Sequence, residues 1–132
     1  MVQTVVRYIK MKDNVHVELI NTKKKELQMN TYKIFQVPFE SDLRRDVMFY
    51  DEDSKIYNQA DAEKACTNSD YDYVGDIQAT DLNEVFHKGN TGGQPKGAHS
   101  ISVGDIIATE QGKYFIVAPC GFDELFAERA VA

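Results

Sequence analysis

Alternating hydrophobic and polar positions at the start of the chain predict paired strands. Val15, Val17 and Leu19 are separated by His16 and Glu18, which is the period-two pattern of a strand with one buried face. Residues 3–9 are rich in β-branched side chains, and Asp13-Asn14 between the two segments is a turn signal. The pattern therefore predicts a β-hairpin over residues 3–20.

The rest of the chain alternates between strand and helix signals. β-Branched and aromatic runs predict strands at residues 31–37, 46–50, 71–77, 105–109 and 113–118. Helix-forming or helix-spaced residues predict helices at residues 58–66, after an N-cap at Thr80, and at 122–129. Residues 41–45 are predicted to form a turn or a short helix, and the glycine-rich residues 89–98 a mobile loop.

Short turns join these strands as often as helices do. The fold class predicted is therefore α+β, with a mostly antiparallel sheet of five to seven short strands and two or three short helices.

Composition indicates one globular domain in a reducing compartment. The 132 residues are 42% hydrophobic and 27% charged, and no apolar run approaches the ~20 residues that a membrane span needs. Residues 1–12 alternate and carry charge, unlike a signal peptide. Cys66 and Cys120 match no metal-binding spacing and are expected to be buried or half-buried thiols. We therefore expect a cytoplasmic protein that does not enter a membrane.

Charge is distributed unevenly along the chain. Residues 1–39 carry a net charge of +4, residues 40–84 of −9, and residues 85–132 of −1. An acidic zone is usually a solvated surface, but it also suits a basic protein partner. Direct binding of DNA or RNA is not expected, because phosphate neutralisation needs a clustered basic face. The one candidate patch, Lys23-Lys24-Lys25, is more typical of a solubilising turn.

Four tyrosines stand beside acids in the acidic zone. Such tyrosines suit protein interfaces, where the ring packs and the hydroxyl forms a hydrogen bond, and packing in the core is the alternative for each ring. The residues predicted to contact a protein partner are Tyr50, Asp51, Glu52, Asp53, Tyr57, Asp70, Tyr71, Asp72 and Tyr73.

Four pieces, in order, carry a resemblance to a known family. They are TYKIFQV at 31–37; Arg45-Asp46 followed by Phe49-Tyr50; YVGD at 73–76 before a helix bearing Leu82, Val85 and Phe86; and HSISVGD at 99–105 with Gly121-Phe122 after the last hairpin. On these, residues 29–126 resemble the YodL-like domain family, small domains of bacterial, phage and conjugative-element proteins. The resemblance implies an accessory protein of a mobile element and brings no general enzymatic activity.

The resemblance also divides the chain. Residues 1–28 lie outside it and are predicted to be an N-terminal β-hairpin extension, while residues 29–132 form the YodL-like domain, within a single compact unit. Family members commonly have a Tyr-Tyr-Val-Asp-type segment before the final Gly-Phe, whereas residues 114–120 here are YFIVAPC. A role that depends on that aspartate is therefore not expected.

His99, Ser100, Ser102 and Asp105 raise the question of catalysis. A serine nucleophile needs a base within hydrogen-bond reach and a third group to orient that base. The four residues lie within seven positions, and an extended stretch would point His99 and Ser100 to opposite faces. The preferred interpretation is structural: polar side chains bond backbone amides, and Gly104 supplies an unusual backbone angle. The structural motif predicted comprises His99, Ser100, Ser102, Gly104, Asp105, Gly121 and Phe122.

Three functional hypotheses follow. The first is a non-enzymatic binding or regulatory protein of a phage or mobile element, which would engage a basic host protein, such as a defence component, through the acidic tyrosine-containing zone. The alternative is a small metal-dependent hydrolase or nuclease centred on His99 and Asp105, for which the chain shows no HxxxH or CxxC spacing. The third is a domain that acts by self-association as a homo-oligomer. No cofactor and no bound metal are expected under the first hypothesis.

Overall fold

The computed structural model describes residues 5–11, 14–20 and 29–127. Within those residues the chain forms seven strands and three helices. The strands are β1 (Val5–Met11), β2 (Asn14–Ile20), β3 (Asn30–Gln36), β4 (Asp72–Ala79), β5 (Ile106–Ala108), β6 (Tyr114–Val117) and β7 (Phe122–Leu125). The helices are α1 (Leu43–Val47), α2 (Gln59–Thr67) and α3 (Leu82–Asn90).

The first two strands form a sheet of their own. β1 and β2 pair antiparallel from Val5 opposite Ile20 to Met11 opposite Asn14. This pairing confirms the hairpin predicted from the alternation, although the predicted turn residue Asp13 lies outside the described residues.

The other five strands form an antiparallel sheet in the order β4-β3-β5-β6-β7, which confirms the α+β class. β3 lies inside this sheet and places Tyr32 and Ile34 in the core, while Lys33 between them is exposed. The pairing of β3 with β4 shifts register at Ile34 and Phe35, as in a β-bulge. Gly75 lies at this shift with φ +140°, a conformation that side-chain-bearing residues rarely adopt.

The two faces of the five-stranded sheet bury separate cores. One core lies under α1 and α2, and we call it the helix-side core. It includes Val47, Tyr50, Tyr57, Ala62, Ala65, Tyr71, Ile106, Ile116 and Leu125. The opposite core lies under α3 and includes Tyr32, Ile34, Ile77, Val85, Ile101, Ile107 and Val117. Successive residues of β5 therefore face different cores, as strand geometry requires.

Local hydrogen bonds set the beginnings of the two longer helices. Asn58 caps α2 in a reciprocal capping box with Asp61, with N···O distances of 3.1 and 3.0 Å. The α3 N-cap is Asp81, which accepts from the Glu84 N–H at 2.8 Å. Thr80, predicted as this cap, instead donates its backbone N–H to the Glu84 carboxylate at 3.1 Å. The cap prediction was therefore wrong by one residue.

Two predicted elements are wrong. Residues 46–50, predicted as a strand, contain the end of α1 and a turn in which the N–H of Tyr50 donates to the carbonyl of Val47 at 3.1 Å. Residues 122–129, predicted as a helix, begin with the strand β7, because these residues pair with the available edge of β6. Residues 128 and 129 lie outside the described part of the chain.

The two cysteines differ in exposure. Cys66 is half-buried, as predicted, but Cys120 is exposed, because it lies in the turn that joins β6 to β7. No helix in the described part of the chain is long and apolar enough to cross a membrane.

Candidate functional site

The segment 99–105 ends in a turn that the Asp105 carboxylate closes. Its Oδ2 accepts the backbone N–H of Ser102 at 2.9 Å, while the Asp105 N–H donates to the carbonyl of Ser102 at 3.0 Å. Gly104 adopts φ +93° inside the turn, and its N–H donates to the carbonyl of Val117 on β6 at 2.9 Å. The turn is thereby fixed to the strand beside β5.

The Asp105 carboxyl is fully buried and surrounded by polar groups. Gln36 Nε2 donates to Oδ2 at 3.1 Å, and Arg44 Nη1 lies 3.5 Å from Oδ1. Burial raises the pKa of Asp105 to about 6, against the lowering effects of the Ser102 N–H, His99, Arg44 and Gln36. The nearly buried Arg44 is the cation that faces this carboxyl.

His99 is held by its neighbours rather than by Asp105. Its Nδ1 lies 2.8 Å from the carbonyl of Ser100, which assigns the Nδ1–H tautomer to the neutral ring, and 3.9 Å from Asp105 Oδ2. The ring of Phe39 packs against His99 at 4.6 Å between centroids and lies 5.0 Å from the Arg44 guanidinium carbon. The carboxylate–imidazole hydrogen bond of a Ser-His-Asp triad is not formed between these two residues. The geometry instead ties β3, α1 and this turn together.

The remaining predicted motif residues differ in exposure. Ser100 is exposed, while the Ser102 hydroxyl is buried and the described contacts give it no hydrogen bond. Gly121 adopts φ +95° in the turn before β7, and Phe122 begins that strand with its ring 6.5 Å from Phe86. In the described part of the chain, no group of three or more His, Cys, Asp or Glu side chains could hold a metal ion.

Three of the four tyrosines predicted to contact a partner are core residues. Tyr50, Tyr57 and Tyr71 are 1%, 2% and 8% exposed, so a contact role for their rings does not agree with the structure. Each hydroxyl has an internal partner, which allows the ring to be buried. Tyr50 donates to Asp123 at 2.7 Å, Tyr57 and Tyr71 hydroxyls lie 3.0 Å apart, and Tyr71 donates to the carbonyl of Gly104 at 2.7 Å.

The acids predicted beside these tyrosines do face solvent. Asp51, Glu52 and Asp53 are exposed between α1 and α2, and Asp70 and Asp72 are exposed on either side of Tyr71. We call these five residues the acidic surface. The first segment contacts Tyr57, because the Asp51 N–H donates to the Tyr57 carbonyl at 3.2 Å. The Tyr57 hydroxyl in turn contacts the hydroxyl of Tyr71, which Asp70 and Asp72 flank in the second segment. Tyr73, the fourth tyrosine, is 54% exposed and adjoins Asp72.

The sequence interpretation missed a line of aromatic rings that crosses the helix-side face of the sheet. Tyr73, Phe35, Tyr114 and Phe126 succeed one another at 5.7, 6.2 and 6.0 Å between ring centroids. We call these four residues the aromatic row. Their alternation within single strands was visible in the sequence, but their adjacency depends on the strand order, which single strands do not reveal.

Comparison with known proteins gives one match. The model of the family described as YodL-like domain matches residues 31–126. No curated protein and no solved structure matches the chain.

Proposed function

Because the chain belongs to the YodL-like domain family, we propose that it is a non-enzymatic binding protein of a phage or mobile genetic element that engages a basic host protein. Inhibition of a host defence component is the form of this function that the family's setting favours. The observation that carries the proposal is the acidic surface, five solvent-facing carboxylates within a zone of net charge −9. Exposed carboxylates steer a positively charged partner to the surface and repel acidic competitors.

The burial of three tyrosines changes how the surface works. Tyr50, Tyr57 and Tyr71 adjoin the acidic segments in the sequence, but their rings pack in the helix-side core and do not face a partner. Binding would therefore depend on charge at the five carboxylates, and it would weaken as salt screens them, over a Debye length of about 8 Å at physiological ionic strength.

Paired charge reversals test the proposal. Asp51→Lys with Asp53→Lys, and Asp70→Lys with Asp72→Lys, reverse the two acidic segments. Glu40→Lys with Asp42→Lys is the matched control, because both residues are exposed outside the acidic surface and Asp42 makes no side-chain cap bond. Capture from a host lysate should recover one dominant basic protein with the wild type and the control, and less of it with either acidic-surface pair. Equal recovery with all four proteins would contradict the proposal.

Two further observations bear on it. Genes for evasion of host defence beside this gene would support the mobile-element setting. The alternative of a metal-dependent hydrolase or nuclease at His99 and Asp105 stays a prediction. A screen of hydrolase and nuclease activities with added divalent metals, comparing the wild type with His99→Ala, tests that alternative.

A further inference from the structure

The aromatic row spans the full width of the five-stranded sheet. Tyr73 comes from β4 at one edge, Phe35 from β3, Tyr114 from β6, and Phe126 from the residue after β7 at the other edge. The contacts between successive rings are tilted or edge-to-face, which are favourable arrangements for aromatic pairs. The row is therefore one continuous apolar feature.

A groove opens beside the row. It has a volume of about 300 Å³ and lies between the row and the end of α2. Its seven lining residues are uncharged: Phe35, Cys66, Thr67, Tyr71, Ile106, Tyr114 and Phe126. Tyr73 and Phe126 at the two ends of the row are 54% and 51% exposed. A row of contacting rings that is exposed at both ends and half-buried in the middle, beside an apolar groove, marks an interaction site rather than ordinary surface.

Phe126 is held at the groove in an unfavourable backbone conformation. Its φ is +58°, the left-handed region, which is uncommon for a bulky residue. Its N–H donates to Glu63 Oε2 on α2 at 2.7 Å, and its ring packs edge-on against Tyr114. Strain retained by surrounding contacts is a feature of functional sites. Here the contacts with Glu63 and Tyr114 hold a large apolar ring at the surface.

The charges at the Tyr73 end of the row identify the partner's chemistry. Asp76 is exposed there, and its Oδ1 accepts the Tyr73 hydroxyl at 2.6 Å, while exposed Asp70 directly precedes Tyr71 of the groove lining. The cation on the neighbouring strand is Lys33, opposite Asp76 in the register, so that acids outnumber bases at this end. Lysine or arginine is thereby favoured beside the rings, where the π faces also attract cations. A nucleic acid strand could stack on such rings, but these carboxylates would repel its phosphates.

We infer that the groove receives an aromatic or long aliphatic side chain from a protein segment that carries lysine or arginine next to it. The inference rests on the proposed function, because it identifies the part of the basic partner that the domain recognises. The apolar side chain would fill the groove, and its basic neighbours would contact Asp70 and Asp76.

Selection of peptides from a random display library on the immobilised full chain tests this inference. The selected sequences should share an aromatic or long aliphatic residue flanked by lysine or arginine. A synthetic peptide of the dominant sequence is then titrated against the wild type, Tyr73→Ala and Phe126→Ala by calorimetry. Each substitution should weaken binding about tenfold, as at an interface hot spot. Phe49→Ala is the matched control, because Phe49 is 57% exposed and does not line the groove.

The outcomes separate the possible occupants. No enriched peptide, peptides without basic residues, or equal affinity of Tyr73→Ala, Phe126→Ala and the wild type would overturn the inference. Stronger binding of a thymidylate single strand, or concentration-dependent self-association that Phe126→Ala abolishes, would also overturn it in favour of nucleic acid or a second copy. Thermal unfolding of each variant checks that a loss of binding is not a loss of folding.

The same variants distinguish failure of this inference from failure of the proposed function. If host capture needs Asp51 and Asp53 but tolerates Tyr73→Ala and Phe126→Ala, the groove inference fails while the proposed function stands. If the peptide binds the groove but host capture ignores every charge reversal, the proposed function fails instead.

Discussion

Replacement of Gly104 by alanine tests how the turn before β5 is fixed against α1. Gly104 has φ +93°, and a Cβ built on it would lie well inside van der Waals contact with the carbonyl oxygen of Val47 at the end of α1. The left-handed region costs a side-chain-bearing residue roughly 1–2 kcal/mol. Forcing an atom into a packed site costs roughly 1–3 kcal/mol more. We therefore expect Gly104→Ala to lower the free energy of unfolding by about 2–5 kcal/mol.

Gly112→Ala separates the two contributions. Gly112 also has a positive φ, +84°, but a Cβ there would meet nothing within 4 Å. This control should lose only the conformational part, roughly 1–2 kcal/mol. Urea unfolding of both variants at one pH gives the comparison, and similar m-values would show that the denatured states match. Equal losses at the two positions would refute the close approach of Gly104 to Val47.

Three further substitutions or reactions test other parts of the structure. Because the pKa of Asp105 is raised to about 6, the folded state holds a proton between pH 4 and pH 6 that the unfolded state releases. The wild type should therefore lose roughly 2 kcal/mol of stability relative to Asp105→Asn between pH 4 and pH 7 in urea titrations, and a pH-independent difference would contradict this. Asn58→Ala removes the α2 capping box and should lower the free energy of unfolding by about 1 kcal/mol, measured as a shift of the urea midpoint; an unchanged midpoint would refute the cap. Burial raises the pKa of the Cys66 thiol to about 11, so that a thiol reagent should label exposed Cys120 quickly and Cys66 slowly in the native protein; a fast phase that survives Cys120→Ser would contradict this.

Local periodicity was sufficient for much of the fold. The first hairpin, β3, β4, α2 and the pair β5–β6 all follow from alternation, β-branched content or capping residues within short windows. Each of these elements has a sequence preference that agrees with its tertiary environment, which is the condition under which local patterns succeed.

Tertiary pairing overrode local preference at the end of the domain. Phe122, Leu125 and Phe126 have helical spacing, but β6 offers a free edge, and Leu125 reaches the helix-side core from a strand. The strand then ends at the left-handed Phe126. A four-residue segment is too short for its apolar spacing to distinguish a helix from a strand, so that the neighbouring strand decides between them.

The candidate site was less predictable than the fold. The exposure of Asp51 and Asp72 follows from their charge alone. The burial of Tyr57 and Tyr71, which precede and follow α2 in the chain, is allowed by the contact between their two hydroxyls. The aromatic row was out of reach for a related reason. Phe35 and Tyr114 are far apart in the chain. Their rings come into contact because β3 and β6 both pair with β5, one on each side of it.

The position of β3 has a consequence for synthesis on the ribosome. β3 is made early, yet both of its sheet partners come late, since Lys33 pairs with Asp76 on one side and Ala108 on the other. Contacts so distant along the chain form slowly, because the intervening segment must first be closed into a loop. The nascent polypeptide must therefore carry β3 with one edge unpaired until β5, in the last third of the chain, has left the exit tunnel. A product of premature termination before β5 would keep that edge of β3 exposed and become a target for chaperones and proteases.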